Sequence, residues 1–183
     1  MPGTYIAIGI LLILAIWLIA SYNSLVKGRN MVREAFSTMD VFMKKRFDLI
    51  PNLVETVKGY AAHESETMQN VISARNNITN ATTLQGRVDN ENALSSTLKS
   101  LFALSEAYPD LKANANFMDL QNQLKVIELD IANSRKYYNA VVRDYNIKTE
   151  SFPSVIVASM FGFKQEQMFE IATAERENVK VQF

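Results

Sequence analysis

The chain of 183 residues has no cysteine, one histidine, one tryptophan and no excess of either charge. Each shortage excludes something. Without cysteine there are no disulfides and no thiolate metal sites. The compartment stays undecided on that ground, since a reduced cytoplasm and a disulfide-free periplasm look alike. With 19 basic and 19 acidic side chains the formal net charge is zero, so no general attraction to nucleic acid by counterion displacement is expected. The lone imidazole, His63, cannot complete a His-Glu-x-x-His zinc motif, because the residue four positions on is Thr67. Glu55, Glu64 and Glu66 do not share one helical face with it. No glycine-rich phosphate loop occurs, and serine and threonine lack an identifiable base partner. Asn77-Ile78-Thr79 and Asn80-Ala81-Thr82 match the glycosylation acceptor pattern and are read as chance. The expectation is a non-enzyme with no catalytic residue, no cofactor and no metal.

What is present is apolar and helical. From Tyr5 to Ala20 the sequence reads YIAIGILLILAIWLIA, and the first charged side chain beyond it is Lys27. Roughly 20 apolar residues of helix cross a hydrocarbon core, and Trp17 and Tyr22 suit the headgroup layer. A cleaved signal peptide would want a basic leader and a small-residue cleavage site; MPGT and SYNSL offer neither. The expectation is a retained single-pass anchor. Lys27, Arg29 and Arg33 follow the run and no Lys or Arg precedes it. The positive-inside rule then puts the N-terminus outside and the remainder in the cytoplasm. Lys27 and Arg29 lie close enough to touch lipid headgroups.

Beyond the anchor the periodicity is that of packed helices. Val32, Phe36, Met39, Met43, Phe47, Ile50, Val54, Val57 and Ala61 step by three and four. The pattern continues, more polar, through Met68, Ile72, Arg75 and Ile78. TNATTLQGRVDNEN, with Gly86, reads as a connection, and a shorter helix is expected from about Glu91 to Glu106. AYPDLKANANF is the next break: Pro109 cannot continue a helix and the asparagines can cap the one that follows. In that last helix Phe117, Leu120, Leu124, Ile127, Ile131, Ser134, Tyr138, Val141 and Tyr145 hold a spacing of about 3.5 without a slip. This is the seam of a long antiparallel helix, on the order of 45–50 Å in length.

Pro51 interrupts the first of these patterns. Proline inside a helix removes one hydrogen bond and crowds the preceding turn, costing about 3 kcal/mol. The unbroken packing phase suits a kink, whereas Asp48, three residues earlier, could cap a fresh helix. The choice is close; a bend at Asp48 and Pro51 is common to both, and a true helix-to-helix junction is slightly favoured. The basic cluster Lys44, Lys45 and Arg46 is expected to be a solvated face paired with Asp40 and Asp48, with anionic lipid as the alternative.

From Glu150 the character changes. ESFPSVIVASMFGF is apolar and the rest is acidic. Pro153 fits the start of a helix and Gly162 its end. Phe161, Phe163, Met168 and Phe169 would be costly to leave in water, at about 1.5–3 kcal/mol for each large apolar side chain. They must cover the bundle, a neighbouring subunit or a membrane surface, and they are the candidate subunit contact.

SYNSLVKGRN, KKRFDLIPNLVETVKGYAAHE, YPDLKAN, FMDLQNQL, RKYYNAVVRDYN, FPSVIVASMFGF and VKVQF occur in this order along nearly the whole chain. Together they resemble the LemA family of bacterial membrane proteins. Phe42 and Met43 stand where polar residues are commoner in that family. The resemblance implies a single-pass anchor with an outward N-terminus, a cytoplasmic antiparallel helical bundle and no established enzymatic activity. Some relatives have been linked to envelope stress, to neighbouring membrane proteases or to membrane invagination.

The expected organisation is therefore all-α: a transmembrane helix in residues 1–22, an up-and-down bundle of long helices in 23–149, and an apolar then acidic segment in 150–183. The expected function is a self-associating scaffold that organises or remodels the bacterial inner membrane. Its partners are membrane lipid and other copies of itself. The alternative is an adaptor for another membrane protein, such as a protease.

Overall fold

The structure, a computed structural model, describes residues 2–81 and 83–169. The acidic end of the chain and its VKVQF motif lie outside the described residues. Among those described there is no strand, and the fold is all-α. The order is α1 (Pro2–Lys58), α2 (Ser65–Thr79), α3 (Leu84–Leu104), a 3-10 turn (Ser105–Ala107), α4 (Pro109–Lys112), α5 (Ala115–Glu150) and α6 (Ser154–Phe161). Contacts gather into two compact units, one of residues 2–38 with Lys136–Met168 and one of Met39–Arg135 with Phe169. The long helices α1 and α5 thus contribute to both.

In the second unit five helices close over one apolar core. Ile50, Leu53, Val54 and Val57 of α1 meet Met68, Val71 and Ala74 of α2, Leu94, Leu98 and Leu101 of α3, Leu111 of α4, and Phe117 and Leu124 of α5. The spacing of three and four puts each set on one stripe, which is why every helix buries one face. α5 starts where Asn114 accepts a hydrogen bond from the Phe117 amide at 2.9 Å, the usual use of asparagine at a helix start.

Three local expectations are corrected here. There is no junction at Pro51: α1 runs through it to Lys58, and Asp48 caps nothing but pairs with Lys44 one turn back at 3.2 Å. The physical reason lies across the core. Proline cannot donate to the carbonyl four residues earlier, that of Phe47, and the Arg75 Nε–H donates to that same oxygen at 3.1 Å. The Arg75 guanidinium also lies over the Phe47 ring, 3.7 Å from its centroid. An arginine from α2 therefore replaces the missing amide, and the buried Ile50, Leu53 and Val54 hold the helix on either side. The true break comes at residues 59–64, after which α2 begins. Nor is the polar stretch around Gly86 a connection: Thr83 Oγ1 accepts the Gly86 amide at 3.1 Å, and this cap starts α3 at Leu84 rather than near Glu91.

The first unit is built on a close approach. A Cβ placed on Gly28 would stand 3.0 Å from the Tyr145 ring, a tight contact that the ring must shift slightly to accept, so glycine eases the close approach of α1 and α5. Phe36 and Tyr138 meet edge to face with centroids 6.0 Å apart. α6 packs Val157 and Ala158 inward and ends at Gly162 with φ of 70°. There the Phe163 amide donates to the Ala158 carbonyl at 2.9 Å, the left-handed cap that glycine adopts most cheaply. The chain then runs back along α5, where Asn146 Nδ2 donates to the Glu166 carbonyl and Asn146 Oδ1 accepts the Glu166 amide, both at 2.9 Å. The Tyr138 hydroxyl donates to the Gln167 carbonyl at 2.9 Å.

Candidate membrane and interaction surfaces

Three surfaces follow from this packing. The first is the start of α1. It contains the one described helix apolar and long enough to cross a membrane, and none of its most apolar window is buried. Trp17 is half-buried and Tyr22 is exposed at the end of that run. Lys27 is exposed, whereas Arg29 lies over the Phe163 ring at 5.0 Å. These features are compatible with a membrane anchor.

The second is α5. Of its seam, Phe117, Leu124, Ile127, Ile131, Tyr138, Val141 and Tyr145 are buried and Leu120 is half-buried. Burial pushes the phenols of Tyr138 and Tyr145 up from the ordinary tyrosine range, with the Glu166 carboxylate adding to it. The far side of the same helix also carries large apolar side chains, set among the exposed Asn122, Lys125, Asn133, Lys136 and Asp144. Met118, Val126 and Leu129 in one unit, and Tyr137 and Ile147 in the other, are large apolar side chains left in solvent. At 100° per residue they fall on one stripe, opposite the seam.

The third is the apolar segment after Glu150. Its four candidate contact residues separate. Phe163 and Phe169 are buried within the chain, Phe169 with the Arg135 guanidinium 6.0 Å from its ring centroid. Phe161 and Met168 remain exposed.

His63 is exposed, and Glu64 accepts a hydrogen bond from the Tyr108 hydroxyl at 3.1 Å, which raises that phenol's pKa. Among the described residues no group of three or more acidic or imidazole side chains could hold a metal ion. A cleft of about 380 Å³ is lined by Asp40, Lys44, Arg87 and Glu91 among others. Its charges are paired: Arg87 with Asp40, Lys44 with Asp48, and Glu91 with Arg46.

Arg46 corrects the expected solvated face. Lys44 and Lys45 are exposed, but Arg46 is 0% exposed. Its guanidinium pairs with Glu91, itself 1% exposed. It also donates to Glu128 Oε2 at 2.5 Å and Ser95 Oγ at 2.8 Å. Ser95 in turn donates to Glu128 Oε1 at 2.8 Å. The signal was present in the spacing. Met43, Arg46 and Ile50 step by three and four, as do Glu91, Leu94 and Leu98, so opposite charges occupy core-phase positions on two helices.

These features define an all-helical protein with an exposed apolar N-terminal helix and a core stapled by a buried ion network. Comparison with known sequences agrees. The LemA family profile matches residues 35–183, and the chain belongs to the LemA family. It is 23% identical over 158 residues to Protein LemA of Metamycoplasma hominis, covering 86% of this chain and 72% of that protein. It is 24% identical over 179 residues to the magnetosome proteins MamQ 1 and MamQ 2 of Paramagnetospirillum magneticum, covering 84% of this chain and 66% of each.

Proposed function

We propose that this protein is a non-enzymatic scaffold, held in the bacterial inner membrane by residues 5–20, that self-associates and organises or remodels that membrane. The observation that carries this reading is the second apolar stripe on α5. A helix whose seam is already filled has no need of Met118, Val126, Leu129, Tyr137 and Ile147 on its outer face. Apolar side chains exposed on one side of a helix mark an interaction surface, and a second helix is the partner that fits it. LemA family membership and the relationship to two magnetosome proteins support a place at a membrane. The cations Lys27, Arg29 and Arg33 directly after the apolar run favour a cytoplasmic bundle with the N-terminus outside.

Full-length protein in detergent, sized by analytical ultracentrifugation and imaged by electron microscopy, tests the reading. Oligomers are expected, and Val126→Glu with Leu129→Glu should dissociate them while helix content is kept. A strict monomer before and after the substitutions would remove the scaffold. Recovery with one stoichiometric foreign membrane protein would favour the adaptor instead. Because the chain has no cysteine, a single Asn122→Cys reports topology: it should resist an impermeant reagent in intact cells.

A further inference from the structure

We infer that α6 is a second membrane contact, lying in the headgroup layer beside the anchor on the cytoplasmic side. The inference rests on the anchor reading above. α6 has no charged residue, and its sequence is SVIVASMF. Its inner face, Val157 and Ala158, is buried, yet Met160 is 63% exposed and Phe152, just ahead of the helix, is 81% exposed. Ile156 and Phe161 are also open to solvent. A contiguous apolar face of this kind is costly in water.

Its place in the fold selects the occupant. The Phe161 ring packs edge to face on Tyr22, with centroids 4.8 Å apart, and the Phe163 ring does so at 5.7 Å. Tyr22 ends the apolar run that is itself uncovered by protein. The exposed face of α6 is therefore continuous with the lipid-facing surface of α1, at the depth where tyrosine marks the boundary. Eight residues are far too few to span a bilayer, but a short apolar helix seats well at the interface. Cations rim the same spot: Lys27 and Lys164 are exposed, and Arg29 lies over Phe163 at 5.0 Å. They suit anionic headgroups. Anchor and α6 together would hold the protein to the bilayer at two points, fixing its tilt as one helix alone does not.

Single cysteines at Leu12, Met160 and Glu34 test this in the full-length protein. Each carries an environment-sensitive fluorophore, after reconstitution into vesicles of phosphatidylethanolamine and phosphatidylglycerol. All three side chains are exposed, so labelling leaves the fold intact. The Met160 probe should be blue-shifted and lose emission to a lipid-borne quencher, as Leu12 does, while Glu34 responds only to aqueous iodide. If Leu12 is quenched by lipid but Met160 behaves as Glu34 does, α6 is wet and the inference falls while the anchor stands. If Met160 is shielded from both quenchers, protein covers it, and the inference also falls. A Leu12 probe untouched by lipid removes the anchor and α6 contact together.

Discussion

Helix α1 carries two kinds of apolar surface. Its first stretch, Tyr5 to Ala20, is the most hydrophobic part of the chain, and its most apolar window buries nothing against protein. Its last stretch is far more polar, yet Met39, Met43, Ile50, Leu53, Val54 and Val57 are buried and Arg46 is completely enclosed. Hydrophobicity and burial thus run in opposite directions along one helix. The contrast follows from the surroundings each part requires. A uniformly apolar cylinder has no preferred face and is satisfied by lipid. A striped one is satisfied by other striped helices, and a charge on the stripe persists only where a partner is built opposite it.

The largest expected effect tests the striped half. Arg46→Ala strands the buried Glu91 carboxylate and should lower stability by about 3–5 kcal/mol, read by denaturant unfolding of the full chain in detergent; Glu91→Ala should cost less, because Arg46 keeps Glu128. The double change Arg46→Met with Glu91→Leu should recover most of that loss, because Glu128 is exposed and can return to water. An unrecovered double variant would mean that the network has a role beyond pairing. The apolar half answers to a different measurement. Leu12→Arg should cost about 2.5–3.5 kcal/mol of membrane insertion, moving protein out of the membrane fraction without changing the unfolding midpoint of the bundle.

Smaller effects sharpen the contrast at its two joints. Gly28→Leu forces a side chain into the Tyr145 ring and should destabilise by about 1–3 kcal/mol. Gly28→Ala should come close to neutral, since gained helix propensity of about 1 kcal/mol opposes the tight contact. Arg75→Ala leaves the Phe47 carbonyl without the donor that Pro51 fails to supply, at a cost of about 1–3 kcal/mol. Pro51→Ala should relieve part of that cost by restoring the backbone bond, and strict additivity in the double-mutant cycle would refute the compensation. The smallest effect is alkaline. The folded chain holds the protons of Tyr138 and Tyr145 more tightly than the unfolded chain does. Their contribution is complete below about pH 10, the ordinary tyrosine value, and is lost as pH rises above it. Replacing both with Phe should flatten that limb of a stability–pH titration.

Much of the architecture was legible because it is local. The α5 seam, the Asn114 start of α5 and the Gly162 stop of α6 each depend on residues within a turn or two of one another. Two of the failures were non-local and one was local. Pro51 looked like a boundary because the donor that tolerates it, Arg75, comes from another helix. Gly86 looked like a loop because a glycine amide capped by Thr83 resembles turn chemistry. Arg46 looked solvated because its neighbours Lys44 and Lys45 are.

The order of residues alone determined that this chain is helical, that one end is lipid-compatible, and that long seams would pack side by side, since periodicity and hydropathy are carried by the chain itself. Only tertiary structure decided which charges go inside, where the first helix stops, and that Phe163 turns inward while Phe161 stays exposed against Tyr22. Those outcomes depend on partners far away in sequence, and a buried charge or a freed carbonyl is tolerable only when such a partner arrives.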